Sequence, residues 1–123
     1  MRQGILGQDI TIYGDGSQTR SFQFVSDLVD GLWLLLMSDE VMPVNIGNPV
    51  EISIKHLAEE ILQLTGNRST VTYQPLPAGF EDDPKIRQPD TTRARTLLGW
   101  APKVDRLEGL QATLDDFRIR LQK

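Results

Sequence analysis

Arg20 and Arg87 are the side chains in this sequence best suited to grip an anion. Arg20 lies in Tyr13-Gly14-Asp15-Gly16-Ser17-Gln18-Thr19-Arg20-Ser21-Phe22, a run of small, polar and turn-forming residues. Arg87 lies far along the chain, in Asp82-Asp83-Pro84-Lys85-Ile86-Arg87-Gln88-Pro89-Asp90. A guanidinium is a planar fork of donors that meets phosphate oxygens two at a time. Two of them converging on one point would suit a diphosphate. Each arginine also has a plainer reading. Arg20 has no carboxylate within three residues, and from local pattern alone a solvent charge or a partner for a distant acid is favoured. Asp82 and Asp83 lie close enough to Arg87 for an internal ion pair. Pro84 and Pro89 stiffen that segment and lower the ordering cost of a binding loop.

Other polar residues are less pointed. Tyr13 could lay its ring along a base or a sugar, or be a half-buried residue at a strand end. Gln18 could hydrogen-bond a ligand or fix the turn. Asp82 and Asp83 are adjacent and point apart in an extended segment, which does not suit paired acid–base work. His56 has no metal ligands at a recognisable spacing. Gly14 and Gly16 open no strand–loop–helix of the GxGxxG type. Gly47-Asn48-Pro49 reads as a turn, and no Ser-His-Asp arrangement is discernible.

The elements that must position these groups can be read from spacing. Residues 9–25 read as extended segments around the Asp15-Gly16 turn, either a surface hairpin or a ligand loop beside a strand. A helix over 26–38 is predicted, with Ser26 as cap and Asp27 favourable at its positive end. Val25, Leu28, Val29, Leu32 and Leu36 follow helical spacing, and Trp33, Leu34, Leu35 and Met37 widen the apolar stripe beyond one face. Residues 43–46 read as a short strand ending at Gly47. Ser53 should cap a helix over 54–65 with Ile54, Leu57, Ala58, Ile61 and Leu64 inward, stopped by Gly66 and Asn67 in left-handed geometry. Val71-Thr72-Tyr73 reads as a strand ended by Pro75 and Pro77. Residues 75–90 read as loop. Asp90 should cap a short helix holding Ala94, Leu97 and Leu98, stopped by Gly99, with Trp100 as a packing anchor. A last helix over 107–121 places Leu107, Leu110, Leu114, Phe117 and Leu121 on one side and Arg118, Arg120 and Lys123 near its negative end. The fold class is α/β or α+β, as one domain over 1–123.

Bulk properties set limits. The chain has 123 residues, 39% of them hydrophobic, enough for one core. Net charge is -4, from 17 acidic and 13 basic residues, with no basic stripe, so nucleic acid is not an expected partner. There is no cysteine, hence no disulfide framework, which is compatible with the expected cytoplasmic setting. Met1-Arg2-Gln3-Gly4-Ile5-Leu6-Gly7 lacks the sustained apolar core of a secretory signal. Leu32 to Met37 is far short of a membrane span, so no membrane partner is expected.

Tyr13 to Asp27, Asn45-Ile46-Gly47-Asn48-Pro49, Asp82 to Asp90 and Leu98-Gly99-Trp100-Ala101-Pro102-Lys103-Val104 together resemble the C-terminal part of the extended short-chain dehydrogenases that act on nucleotide sugars. The resemblance is strongest to UDP-glucuronate decarboxylases, then to dTDP-glucose 4,6-dehydratases and sugar epimerases, and covers almost the whole chain. It implies that Arg20 and Arg87 hold the diphosphate of a UDP-sugar, that Thr11 and Tyr13 line the nucleotide base, and that Gln18 belongs to the same loop. It implies NAD as cofactor of the full-length enzymes, which oxidise the sugar at C4, lose CO2 and reduce C4 again. The family's glycine-rich NAD loop and Tyr-x-x-x-Lys pair have no counterpart in these residues. The expectation is therefore no catalytic residue, no cofactor held by this chain alone, and no catalysis by it. Residues 26–48 are expected to pack on the family's Rossmann sheet. Without that sheet Trp33, Leu34 and Leu35 would be exposed, and pairing with the N-terminal Rossmann part or with a second copy is expected. The competing reading is a repurposed, non-enzymatic domain that forms a homo-oligomer through that surface.

Overall fold

The computed structural model describes residues 1–80 and 82–121 and shows a mixed α/β arrangement with two small sheets. In chain order the elements are α1 (Arg2–Ile5), β1 (Ile10–Tyr13), β2 (Thr19–Ser21), α2 (Val25–Leu36), β3 (Glu51–Ser53), α3 (Ile54–Leu64), β4 (Val71–Gln74), α4 (Thr92–Leu98) and α5 (Arg106–Leu121). Among the described residues no helix is long and apolar enough to cross a membrane.

The surface-hairpin alternative for residues 9–25 is not what forms. β1 pairs in parallel with β4, in the register Ile10↔Val71 to Tyr13↔Gln74. β2 pairs antiparallel with β3, Arg20 standing opposite Ile52. The reason lies in β1's alternation. Ile10 and Ile12 are buried against Ala58, with Ile54, Ile61, Leu62 and Val71 packed around them. A parallel partner requires a crossover, and α3 supplies it while covering that face. Ser53 caps α3 by accepting the His56 N–H at 3.2 Å. Gly66 (φ 84°) and Asn67 (φ 53°) then take the left-handed geometry that turns the chain toward β4.

Elsewhere α2 packs against α4, and α5 against α3. Trp100 and Ala94 are buried, as is Leu114. The Trp100 indole donates to the Asp27 carbonyl at 3.0 Å, and the buried Asp27 carboxylate accepts the Val104 N–H at 3.0 Å. α2 begins at Val25 after an extended Phe24, so Ser26 lies inside the helix and does not cap it. Asp27 does fall in the first turn, where its charge is favourable. Thr91, not Asp90, is the N-cap of α4, although Asp90 Oδ1 accepts the Thr92 N–H at 2.9 Å. Gly99 (φ 62°) stops that helix in left-handed geometry. In α5 only Leu114 of the apolar row is fully buried, while Leu107 and Leu121 remain exposed. Arg118 and Arg120 stand in its last turn, and Lys123 lies outside the described residues.

Residues 43–46 are not a strand. A strand exists only as one side of a ladder, and the two ladders among the described residues are made by other segments. Asn45 instead donates its side-chain amide to the Asp90 carbonyl at 3.1 Å. α2 is apolar on its outer face as well. Trp33 is 60% exposed and Leu36 73%, with Val25, Val29, Leu32 and Leu34 also exposed; Leu35 is half-buried.

Candidate functional site

The loop between β1 and β2 is built by its own side chains. Gly14 (φ 78°) and Gly16 (φ 76°) both take the left-handed region. A Cβ on Gly16 would stand 3.1 Å from Lys55 Cβ and 3.3 Å from Ile12 Cγ2, so space as well as backbone geometry asks for glycine. The Asp15 carboxylate accepts both the Ser17 hydroxyl (2.7 Å) and the Ser17 N–H (2.9 Å). These bonds, the hydroxyl's first, hold its carboxyl below the usual aspartate range. Gln18 donates its amide to the Tyr13 carbonyl at 2.9 Å, which closes the turn. Of its two sequence readings, the turn-fixing one describes this contact.

β2 then delivers Arg20 to the segment that carries Arg87. The Thr19 N–H donates to the Lys85 carbonyl at 2.8 Å, Ser21 Oγ to the Arg87 carbonyl at 3.4 Å and Gln88 Nε2 to the Pro49 carbonyl at 2.8 Å. Arg20 Nη1 donates to the carbonyls of Thr19 (2.6 Å) and Lys85 (3.4 Å). Its Nη2 donates to Asp83 Oδ2, while Arg87 Nη2 donates to Asp83 Oδ1. Two guanidiniums from distant parts of the chain therefore meet on one carboxylate. The Arg20 side chain is 20% exposed, Asp83 32% and Arg87 58%, so the pairing opens outward at Arg87.

Beside it lies a cleft of about 320 Å³ bounded by Gln18, Leu76, Phe80, Asp83 and Lys85 among others. The structure thus joins Arg20 and Arg87 on Asp83, and Gln18 lines the cleft beside them. Thr11 and Tyr13 are in neither group. Tyr13 is half exposed on β1, and Thr11 is occupied by Gln3, whose amide donates to Thr11 Oγ1 at 3.2 Å. Lys85 and Phe80 were not singled out in the sequence. A lysine directly after Pro84, in the arginine's own segment, was the available signal for the first. The exposed Phe80 ring offered none, since an aromatic in a polar loop has no spacing to be read from.

Residues 2–113 match the family described as GDP-mannose 4,6 dehydratase. The chain belongs to that family. Among its curated relatives, UDP-glucuronic acid decarboxylase 2 of Arabidopsis thaliana is 44% identical over 97% of this chain and 26% of its own length. UDP-glucuronic acid decarboxylase 1 of Xenopus tropicalis is 45% identical over 98% of this chain and 28% of its own. The chain therefore spans roughly a quarter of these relatives. Among solved structures, UDP-glucose 4-epimerase with UDP-glucose from Thermotoga maritima aligns with TM-score 0.89 and 30% identity, over 97% of this chain and 38% of that one. UDP-glucuronic acid 4-epimerase from Bacillus cereus, in complex with UDP-glucuronic acid and NAD, aligns with TM-score 0.84 and 28% identity, over 95% and 37%. The fold of this chain is thus a portion of the epimerase/dehydratase fold.

Structures of this family hold NAD. The residues present here do not fit that group. Dinucleotide phosphates are held where a glycine-rich loop after a strand opens a helix. α2 opens on Phe24 and α3 on Ser53. The left-handed pair Gly14 and Gly16 leads instead to β2.

Proposed function

We propose that this chain is the UDP-sugar-gripping part of an NAD-dependent nucleotide-sugar enzyme of the UDP-glucuronate decarboxylase type. Arg20 and Arg87 hold the diphosphate, and the strand that carries Thr11 and Tyr13 lines the base. The observation that carries the reading is the meeting of both guanidiniums on one anionic group. A carboxylate and a phosphate present similar oxygens to a guanidinium fork, so a point that satisfies Asp83 suits a phosphate. The kinship with UDP-glucuronic acid decarboxylases supports the uridine nucleotide and the glucuronate sugar. In the same reading residues 26–48 pack on the Rossmann sheet of a longer polypeptide, which carries NAD and the catalytic groups.

The test is isothermal titration of the 123-residue chain with UDP. Saturable binding is expected, weakened by about 2 kcal/mol in each of Arg20→Ala and Arg87→Ala, the scale of a charge-assisted hydrogen bond. Binding unaffected in both variants would refute the diphosphate assignment. A second reading, a non-enzymatic homo-oligomer, draws on the exposed outer face of α2. It predicts a stable multimer in light scattering that is indifferent to UDP.

A further inference from the structure

Asp83 has a place in this site that the assignment of the arginines leaves open. Each of its oxygens takes the terminal Nη2 of a different guanidinium. Those are donors of the kind a guanidinium offers a phosphate. On Arg20 the other terminal nitrogen is already committed to the Thr19 and Lys85 carbonyls. Arg20 therefore cannot swing to offer a fresh pair of donors without breaking its own backbone anchors. Asp83 also lines the cleft itself, beside Lys85 and Gln18. A dianionic ligand that reached the arginines with Asp83 in place would find one nitrogen of each guanidinium already engaged and a negative charge at contact distance.

We infer that Asp83 is an internal competitor for the anion site: its carboxylate holds the two guanidiniums in the ligand-free chain and must leave them when a diphosphate binds. This inference rests on the diphosphate reading above. Asp83 and Arg87 share one segment, while Arg20 stands on β2, so release of Asp83 breaks the only side-chain ion pair described between that segment and β2. The backbone bond from the Thr19 N–H to the Lys85 carbonyl keeps the segment in place as Asp83 turns away. The resulting device sets a threshold. An anion must outbid a carboxylate already in position, so a singly charged one gains little, and a diphosphate that engages both forks gains most.

The sign of one substitution decides the matter. Asp83→Asn keeps the shape and removes the charge, so UDP should bind about tenfold more tightly than to the wild type, the worth of one charge-assisted bond no longer displaced. Unchanged or weaker binding overturns the inference, weaker binding meaning that Asp83 serves to hold the arginines in position for the ligand. Should the variant not fold, the wild type answers alone. Saturating UDP should shift the side-chain carboxylate 13C resonance of Asp83, and a resonance that does not move overturns the inference. If neither protein binds UDP, the diphosphate reading fails and this one with it. If the wild type binds and Asp83→Asn binds no better, only this one fails.

Discussion

The two arginines are not equivalent, and the difference separates binding from folding. Arg20 is mostly covered and anchors the 83–88 segment to β2 through the Lys85 carbonyl and Asp83. Arg87 is 58% exposed, and its described side-chain contact is Asp83 alone. Arg20→Ala should therefore cost about 1 kcal/mol of stability as well as ligand affinity, since it removes the side-chain bonds that tie β2 to this segment. Arg87→Ala should leave stability within about 0.5 kcal/mol, as surface ion pairs contribute little. Urea unfolding of both variants reads this directly, and equal losses would contradict the asymmetry. The sequence singled out both arginines but read Arg20 as a loop residue, whereas it stands on β2. It left open whether each faced its own acid, because a contact 63 residues apart has no local pattern.

At the scale of elements, two joints decide how the helices sit. The buried Glu60 of α3 takes a two-pronged bond from Arg106 of α5, Nε at 2.9 Å and Nη2 at 2.7 Å. That hydrogen bonding, outweighing burial, holds the Glu60 carboxyl below its ordinary 4.5. A lowered folded value stabilises the fold at any pH above the unfolded one and is lost as pH falls through the lowered value. Glu60→Gln should cost about 2 kcal/mol at neutral pH, and the gap from wild type should close as acid protonates Glu60. A gap constant across the acid limb of the unfolding curve would show that the pair contributes nothing through its charge. The other joint is Gly31 in α2, where a Cβ would stand 2.5 Å from Ile46 Cγ2 and 3.1 Å from the Trp100 ring. Trp100 is fixed by its bond to the Asp27 carbonyl, so it cannot give way freely. Overpacking costs about 2 kcal/mol and alanine's helix preference returns about 1, so Gly31→Ala should lose about 1 kcal/mol in thermal or urea unfolding. A stabilised variant would mean that Ile46 is free to move.

At the scale of the whole molecule the uncovered side of α2 dominates. Val25, Val29, Leu32, Trp33 and Leu36 recur at helical spacing and all are exposed. Burying one such side chain fully contributes about 2 kcal/mol, so a patch of this size favours association with any matching apolar surface. Light scattering of the chain should show concentration-dependent self-association that Leu32→Glu with Trp33→Glu abolishes. A monomeric wild type across the accessible concentration range would contradict this. UDP binding should survive the double change, because the two arginines and Asp83 stand on β2 and the 83–87 segment and the cleft beside them has no α2 residue in its lining.

The sequence by itself determined the four longer helices to within a residue or two, the strand at Val71-Thr72-Tyr73 and the stops at Gly66, Asn67 and Gly99, but not the short α1. It also picked out the anchor Trp100 and the family. Each rests on residue type and short spacing, which physical preferences of backbone and side chain encode within a few positions. Tertiary structure decided which strands pair, and so replaced the hairpin alternative by two separate ladders. It left residues 43–46 without a ladder, made Phe24 the first flank of α2, and set Gln18 to the turn. It also laid a single carboxylate between two arginines. Those outcomes depend on which distant segments share a face, and that is settled by packing the whole chain at once rather than by any stretch of it.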